Sequence, residues 1–187
     1  MVLGGQPPGR VGRRRINFTE AGPWPASVVS ERTTNLAGVE GCLSCDLAEG
    51  RLRLPGGVIR ETAGWFVEHT VGPFNVGTLI VKPKRHVTRV SELTEAEADE
   101  LGPLLRCAAA VVDELVQPEQ VYTCLWSHAG GTPVHIHYLV QPATRELMDR
   151  YGDYGPHLQV AMFDADIRAP EAEIAAFADR ARVAFGR

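Results

Sequence analysis

Between residues 65 and 141 the chain carries four short β-rich runs in two pairs, and one long amphipathic segment separates the pairs. The runs "WFVEHT" (65 to 70) and "TLIVKP" (78 to 83) are joined by "VGPFNVG", whose glycines and proline predict a turn and hence a hairpin. The runs "VYTCLWS" (121 to 127) and "VHIHYLVQ" (134 to 141) are separated by "HAGGTP". Between the pairs, "TEAEADELGPLLRCAAAVVDEL" (94 to 115) opens with Thr94 and Glu97 at capping-box spacing and repeats apolar residues at helical intervals. Gly102-Pro103 should kink or restart this helix rather than abolish it. Strands in adjacent pairs around a single helix favour an antiparallel sheet with the helix on one face, an α+β arrangement.

The ends add less. Residues 1–38 mix Gly, Pro, Arg and Ser without periodicity and are expected to form a flexible tail, leaving 39–187 as the folded domain. "RVGRRR" within the tail reads weakly as a transit peptide, since no amphipathic helix follows it. From about residue 143 a helical extension is expected, with "TRELMDRY" and "PEAEIAAFADRARVAF" as its helices. The formal net charge of -4 offers no basic field, which argues against duplex nucleic acid as a partner. No apolar run reaches the roughly 18 residues of a spanning helix, and the N-terminus lacks a secretory apolar segment, so no membrane partner and a cytoplasmic location are expected. The four cysteines do not resemble a secreted disulfide scaffold, and Cys107, in its alanine-rich helical stretch, is most simply a small core residue.

The chemistry concentrates in "GGTPVHIHYLVQP" (130 to 142). Strand alternation puts His135, His137, Leu139 and Gln141 on one face and Ile136, Tyr138 and Val140 on the other. The apolar set should meet the helix, leaving the imidazoles on an accessible face. A histidine pair on a strand is more often two solvated side chains than a site, so its surroundings decide. Gly130 and Gly131 permit close backbone approach and offer N–H groups suited to a phosphate. "KPKRH" brings His86 to the end of another strand, and Cys42 and Cys45 are spaced C-x-x-C. That spacing fits zinc, a redox pair or coincidence; no βαβ context supports the redox reading. Cys42, Cys45, His86 and one of the two motif histidines would make a closed Cys2His2 set, a structural zinc arrangement.

Three segments in order, "CLSCDLAEG", "VGTLIVKPKRHV" with "LTEAEADEL", and "AGGTPVHIHYLVQP", resemble the histidine triad superfamily, including its galactose-1-phosphate uridylyltransferase branch. The likeness spans about residues 41–142. It implies a five-stranded antiparallel sheet with one long helix, commonly paired as a homodimer. It also implies attack by a strand histidine on the α-phosphate of a nucleotide or nucleotide-sugar, through a nucleotidyl-histidine intermediate. Aligned on Pro142, His137 takes the place of the family's nucleophile, and His135 falls into the role of metal ligand beside Cys42, Cys45 and His86. Substrate-binding candidates are the backbone N–H groups of Gly130 and Gly131 and the hydroxyls of Ser127 and Thr132.

The chain also departs from the family pattern. Leu139 stands at the third histidine, Gly131 at the usual glutamine, and Cys124 and Trp126 at the usual Asn and Gly of the preceding strand. His128 could supply an imidazole from a different backbone position, a solvent-facing loop histidine being the plainer alternative. Lys84 and Arg85 could lend charge near a phosphate, though a solvated strand end is the simpler reading. Trp126 could stack on a base or be buried, and His69 and His157 suggest only core or surface filling. The reading is a nucleotidyl hydrolase or transferase. The alternative is a zinc-stabilised nucleotide-binding protein with little or no catalysis, and a dithiol redox protein is a third possibility.

Overall fold

The computed structural model describes residues 38–125 and 133–186. The expected N-terminal tail lies outside the described residues except for Gly38. So do Trp126, Ser127, His128, Gly130, Gly131 and Thr132, and with them every expected substrate-binding residue.

Five strands form one antiparallel sheet: β1 (Val58–Glu61), β2 (Trp65–His69), β3 (Leu79–Pro83), β4 (Gln120–Leu125) and β5 (Tyr138–Ala143), in the order β1-β2-β3-β5-β4. The expected β2–β3 hairpin is present, pairing Trp65 with Pro83 and His69 with Leu79. Its turn depends on Gly77 at φ +97°, which an L side chain rarely adopts. Strand β1 was not foreseen: four residues with a mixed burial pattern leave too little alternation to read.

The helices are α1 (Leu43–Ala48), α2 (Glu95–Val116), α3 (Arg145–Tyr151), α4 (Gly155–Ala165) and α5 (Glu171–Phe185). The capping box of α2 forms as expected: Thr94 Oγ1 accepts from the Glu97 N–H, and Glu97 Oε2 accepts from the Thr94 N–H at 2.8 Å. Helix α2 is not restarted at Gly102-Pro103. Both residues face solvent, where the missing N–H of a proline is best tolerated. Helix α4, which begins Gly-Pro, was not anticipated; Pro156 sits in its first turn, where proline's fixed φ suits a helix start. No described helix is long and apolar enough to cross a membrane.

Strand alternation distributes the core over both faces of the sheet. On one face Trp65, Val67, Leu79, Val81 and Val140 meet Leu104, Ala108, Val111 and Val112 of α2 and Phe177, Ala178 and Ala181 of α5. Tyr138 and Val140 therefore face the helix as the alternation requires. The opposite face is not open, contrary to expectation. Leu139 and Ala143 pack with Phe74, with Leu147 of α3 and with Leu158 and Met162 of α4. Gln141 is fully buried there, its amide donating to Met162 Sδ and its carbonyl accepting from Gln159 Nε2 at 3.0 Å. The chain's own C-terminal helices cover what the strand pattern alone left to solvent.

Candidate metal and imidazole site

Two segments converge at the Pro83 end of β3. The first is the turn that opens α1, where Cys42 is the N-cap residue and Cys45 lies in the first turn. The second is the extended stretch 133–137, which runs into β5. The ladder begins only at Tyr138, so His135 and His137 precede the strand rather than sit within it as expected. The physical reason is in the pairing: β5 takes its β3 partners at Leu79, Ile80 and Val81, while Ile136 N–H bonds instead to Val87 O at 2.9 Å, beyond the end of β3.

His86 lies just past β3, in a turn fixed from outside. Arg85 donates through Nε and Nη2 to the two oxygens of Glu97, at 3.2 and 2.8 Å, and through Nη2 to Glu92 O. Lys84 pairs with Glu61 at 2.6 Å and lies over the Phe66 ring. Both cations are thus engaged with the fold. Arg85 also holds the Glu97 carboxyl below its ordinary range.

Cys42, Cys45, His86 and His135 offer four donor atoms within 4.8 Å of one another. Cys45 Sγ lies 3.3 Å from His86 Nδ1, and the Sγ atoms of Cys42 and Cys45 each lie 3.6 Å from His135 Nδ1. Zinc bonds of about 2.3 Å to sulfur and about 2.0–2.1 Å to nitrogen set S and N donors roughly 3.6 Å apart in a tetrahedron. The imidazole planes of His86 and His135 cross at 86°, which lets both rings point at one centre. His135 Nε2 lies 3.1 Å from Pro83 O. A carbonyl only accepts, so Nε2 carries the proton and Nδ1 presents its lone pair, the usual orienting contact of a metal-ligating histidine. Burial lowers the His135 pKa to about 4, which keeps the ring neutral, and burial raises the Cys45 thiol. A buried thiol pushed upward becomes a thiolate readily only beside a cation. The set fits a structural zinc.

His137 stands apart from this cluster. Its Nδ1 lies 3.1 Å from His135 O, so Nδ1 donates and Nε2 is left with its lone pair and no hydrogen-bond partner among the described residues. The ring is part-buried, and burial lowers its pKa, with Lys82 acting in the same direction. It is therefore a neutral imidazole of defined tautomer. Leu139, two residues on, is 3 % exposed and belongs to the hydrocarbon cluster under α3 and α4. Burying a leucine is worth about 1.5–3 kcal/mol, and an imidazole there would have to be accommodated among the packed side chains of this cluster.

Sequence reasoning overlooked Lys82 and Glu68. Lys82 is fully buried, its Nζ 2.7 Å from Glu68 Oε1 and 3.1 Å from the carbonyl of Ser44, inside the Cys42–Cys45 turn. A lysine within the otherwise apolar run "TLIVKP" was the available signal. His69 is a core residue: its Nδ1 donates to Thr70 O and its Nε2 accepts from the Gly77 N–H. Cys124 is half-buried and accepts from Gln159 Nε2.

No protein-family model and no curated protein matches the chain. Solved structures do. A hypothetical histidine triad nucleotide-binding protein from Sulfolobus tokodaii is 16% identical, with 77% of this chain and 91% of that one covered at a TM-score of 0.59. A zinc-bound histidine triad family protein from Mycobacterium smegmatis is 16% identical, with 79% and 95% covered at 0.57. A Hit-like protein involved in cell-cycle regulation from Bartonella henselae is 15% identical, with 74% and 92% covered at 0.57. At such identities the likeness is one of fold.

Proposed function

From a chain with the histidine triad fold, we propose a zinc-stabilised nucleotidyl hydrolase or transferase that works through His137. The observation that carries the reading is the tautomer: Nδ1–H held on the carbonyl of His135, and Nε2 outside the metal cluster with its lone pair available. Nε2 attacks the α-phosphorus of a nucleotide, forming a P–N bond. The bond to the leaving group breaks and its electron pair departs with that group. The Nδ1–H contact stabilises the positive charge that develops on the ring. Water, or an acceptor such as phosphate, then attacks phosphorus; the P–N electrons return to Nε2 and the nucleoside monophosphate or transferred nucleotide leaves. Ser127, Gly130, Gly131 and Thr132 remain the proposed cradle for the phosphate, with His128 beside them.

Zinc on Cys42, Cys45, His86 and His135 would act as a cross-link, since four protein donors leave no open position to activate water. The nucleotide binding named for the Sulfolobus protein and the zinc of the Mycobacterium protein support the two halves of this reading. Strand β4 lies at the sheet edge with a strand partner on one side only among the described residues, which suits pairing of two copies as a homodimer.

A second reading, nucleotide binding with little or no turnover, is favoured by Leu139 in hydrocarbon and by the cover that α3 and α4 place on that face. One experiment separates the two. The protein is incubated with a dinucleoside polyphosphate, a nucleoside phosphoramidate and a sugar nucleotide, with and without phosphate, beside His137→Ala, and adducts are sought by mass spectrometry. Product and a nucleotidyl adduct on His137, both missing in the variant, are expected. Tight nucleotide binding with neither product nor adduct would replace the enzyme with the binding protein.

A further inference from the structure

Strand β3 lies between β2 and β5. The β3–β5 ladder pairs Ile80 with Leu139 and ends at Val81 and Tyr138, so Lys82 and His137 are the next residues beyond it on the two segments. By alternation Lys82 lies on the face away from α2, as does Glu68 on β2, which pairs with Ile80. Burial first and then the Lys82 charge lower the pKa of the His137 ring, so the field of the ammonium reaches it. Lys82 is fully buried and its Nζ is held from two sides, by Glu68 Oε1 at 2.7 Å and by Ser44 O at 3.1 Å. An ammonium has three N–H groups, and two are used here among the described residues.

Stability does not explain this pair. Taking two charges out of water offsets most of their attraction, and buried pairs are often replaced by apolar residues without loss. The arrangement is not even complete on its own terms, because Glu68 Oε2 is buried with no hydrogen-bond partner among the described residues. Meanwhile Leu139 is packed in hydrocarbon, and Lys84 and Arg85 are tied to Glu61 and Glu97. Lys82, at the end of the ladder that His137 precedes, is the cation whose charge acts on that ring.

We propose, resting on the nucleotidyl-transfer reading of His137, that Lys82 is a positioning residue for that reaction. Its ammonium, set by Glu68 and by the Ser44 carbonyl of the metal-binding turn, provides the positive field into which the attacked α-phosphoryl group develops its negative charge. Such a field costs no reorganisation as the reaction proceeds, because the ammonium is already held in place. The Ser44 contact makes the Cys42–Cys45 turn part of the same device: the turn that carries two metal ligands also aims the ammonium.

The test uses the full chain and a nucleoside phosphoramidate as substrate. Lys82→Met alone would strand the Glu68 carboxylate, so both charges are removed together, once as Lys82→Met with Glu68→Leu and once as Lys82→Gln with Glu68→Gln. Steady-state kinetics are measured with zinc content and Tm. The expected result in either pair is a kcat lower by about 100-fold or more, the range for loss of one preorganised electrostatic group, at nearly constant KM, Tm and zinc content. Lys82→Arg, which keeps the charge, should recover most of that loss. A kcat within about threefold of the parent in either double variant would overturn the role, and so would losses in both pairs that track Tm or zinc content. If the parent protein turns over none of the substrates offered, the nucleotidyl-transfer reading itself fails, an outcome distinct from an active parent whose double variants remain equally active.

Discussion

Stripping the metal should destabilise the protein by an amount the ligand spacing sets. The cluster joins Cys45 to His86 across 41 positions and Cys42 to His135 across 93. Closing a loop of either size restricts the unfolded chain by about 4 kcal/mol in the chain-entropy model of cross-links. The ion ties three segments and so closes two loops; one closure alone sets a lower bound of about 4 kcal/mol on the loss. For a chain of this length each kcal/mol moves Tm by about 2–4 °C, so a drop of at least roughly 8–16 °C is expected. The assay is thermal unfolding of the protein as purified, after exhaustive chelation and after zinc is returned, with metal content measured on each sample. Cys45→Ser should match the chelated protein and fail to respond to added zinc. Less than one equivalent of metal after purification in zinc, or a Tm shift under about 2 °C, would refute the cross-link.

Other expectations follow from the packing around the site. Glu97→Ala removes the capping-box acceptor and the Arg85 partner, and should cost about 2 kcal/mol in urea unfolding, since the cap is worth about 1 and a half-exposed ion pair at most about 1. Because the folded Glu97 pKa is depressed, its contribution is full above the unfolded carboxylate pKa and is lost as pH falls through the lower folded value. The difference between parent and Glu97→Ala should therefore shrink in acid; a difference constant down to the folded pKa and below would argue against the pair. Gly77→Ala places a Cβ 2.8 Å from Val116 Cγ2 at φ +97° and should cost about 2–4 kcal/mol by equilibrium unfolding. A neutral Gly77→Ala would mean that the hairpin turn can relax. Leu139→His should destabilise by about 2 kcal/mol or more without raising turnover, because that position faces the cluster under α4. Gain of activity at unchanged Tm would show the position to be open.

Local rules explain why much of this molecule is legible in one dimension. Thr94 and Glu97 announce a helix start because their hydrogen bonds close within four residues, and "WFVEHT" with "TLIVKP" announce a hairpin because the turn between them is rich in glycine and proline. C-x-x-C alone left zinc, a redox pair and coincidence open, and it was its combination with His86 and the motif histidines that suggested a metal set. What stayed hidden involves partners distant in sequence. Helix α4 covers Leu139 and Gln141 from twenty residues downstream, and Glu68 meets Lys82 only through the pairing of β2 with β3.

Residue types and their spacing alone determined the hairpin, the capped helix and three candidate metal donors, Cys42, Cys45 and His86, with the fourth left between His135 and His137 until the family resemblance pointed to His135. Only the tertiary structure decided which nitrogen of each imidazole is left with a lone pair. That choice belongs to two carbonyls: Pro83 O, which meets His135 only once β3 and the stretch before β5 lie side by side, and His135 O, which meets His137 two residues on in the extended conformation of that stretch.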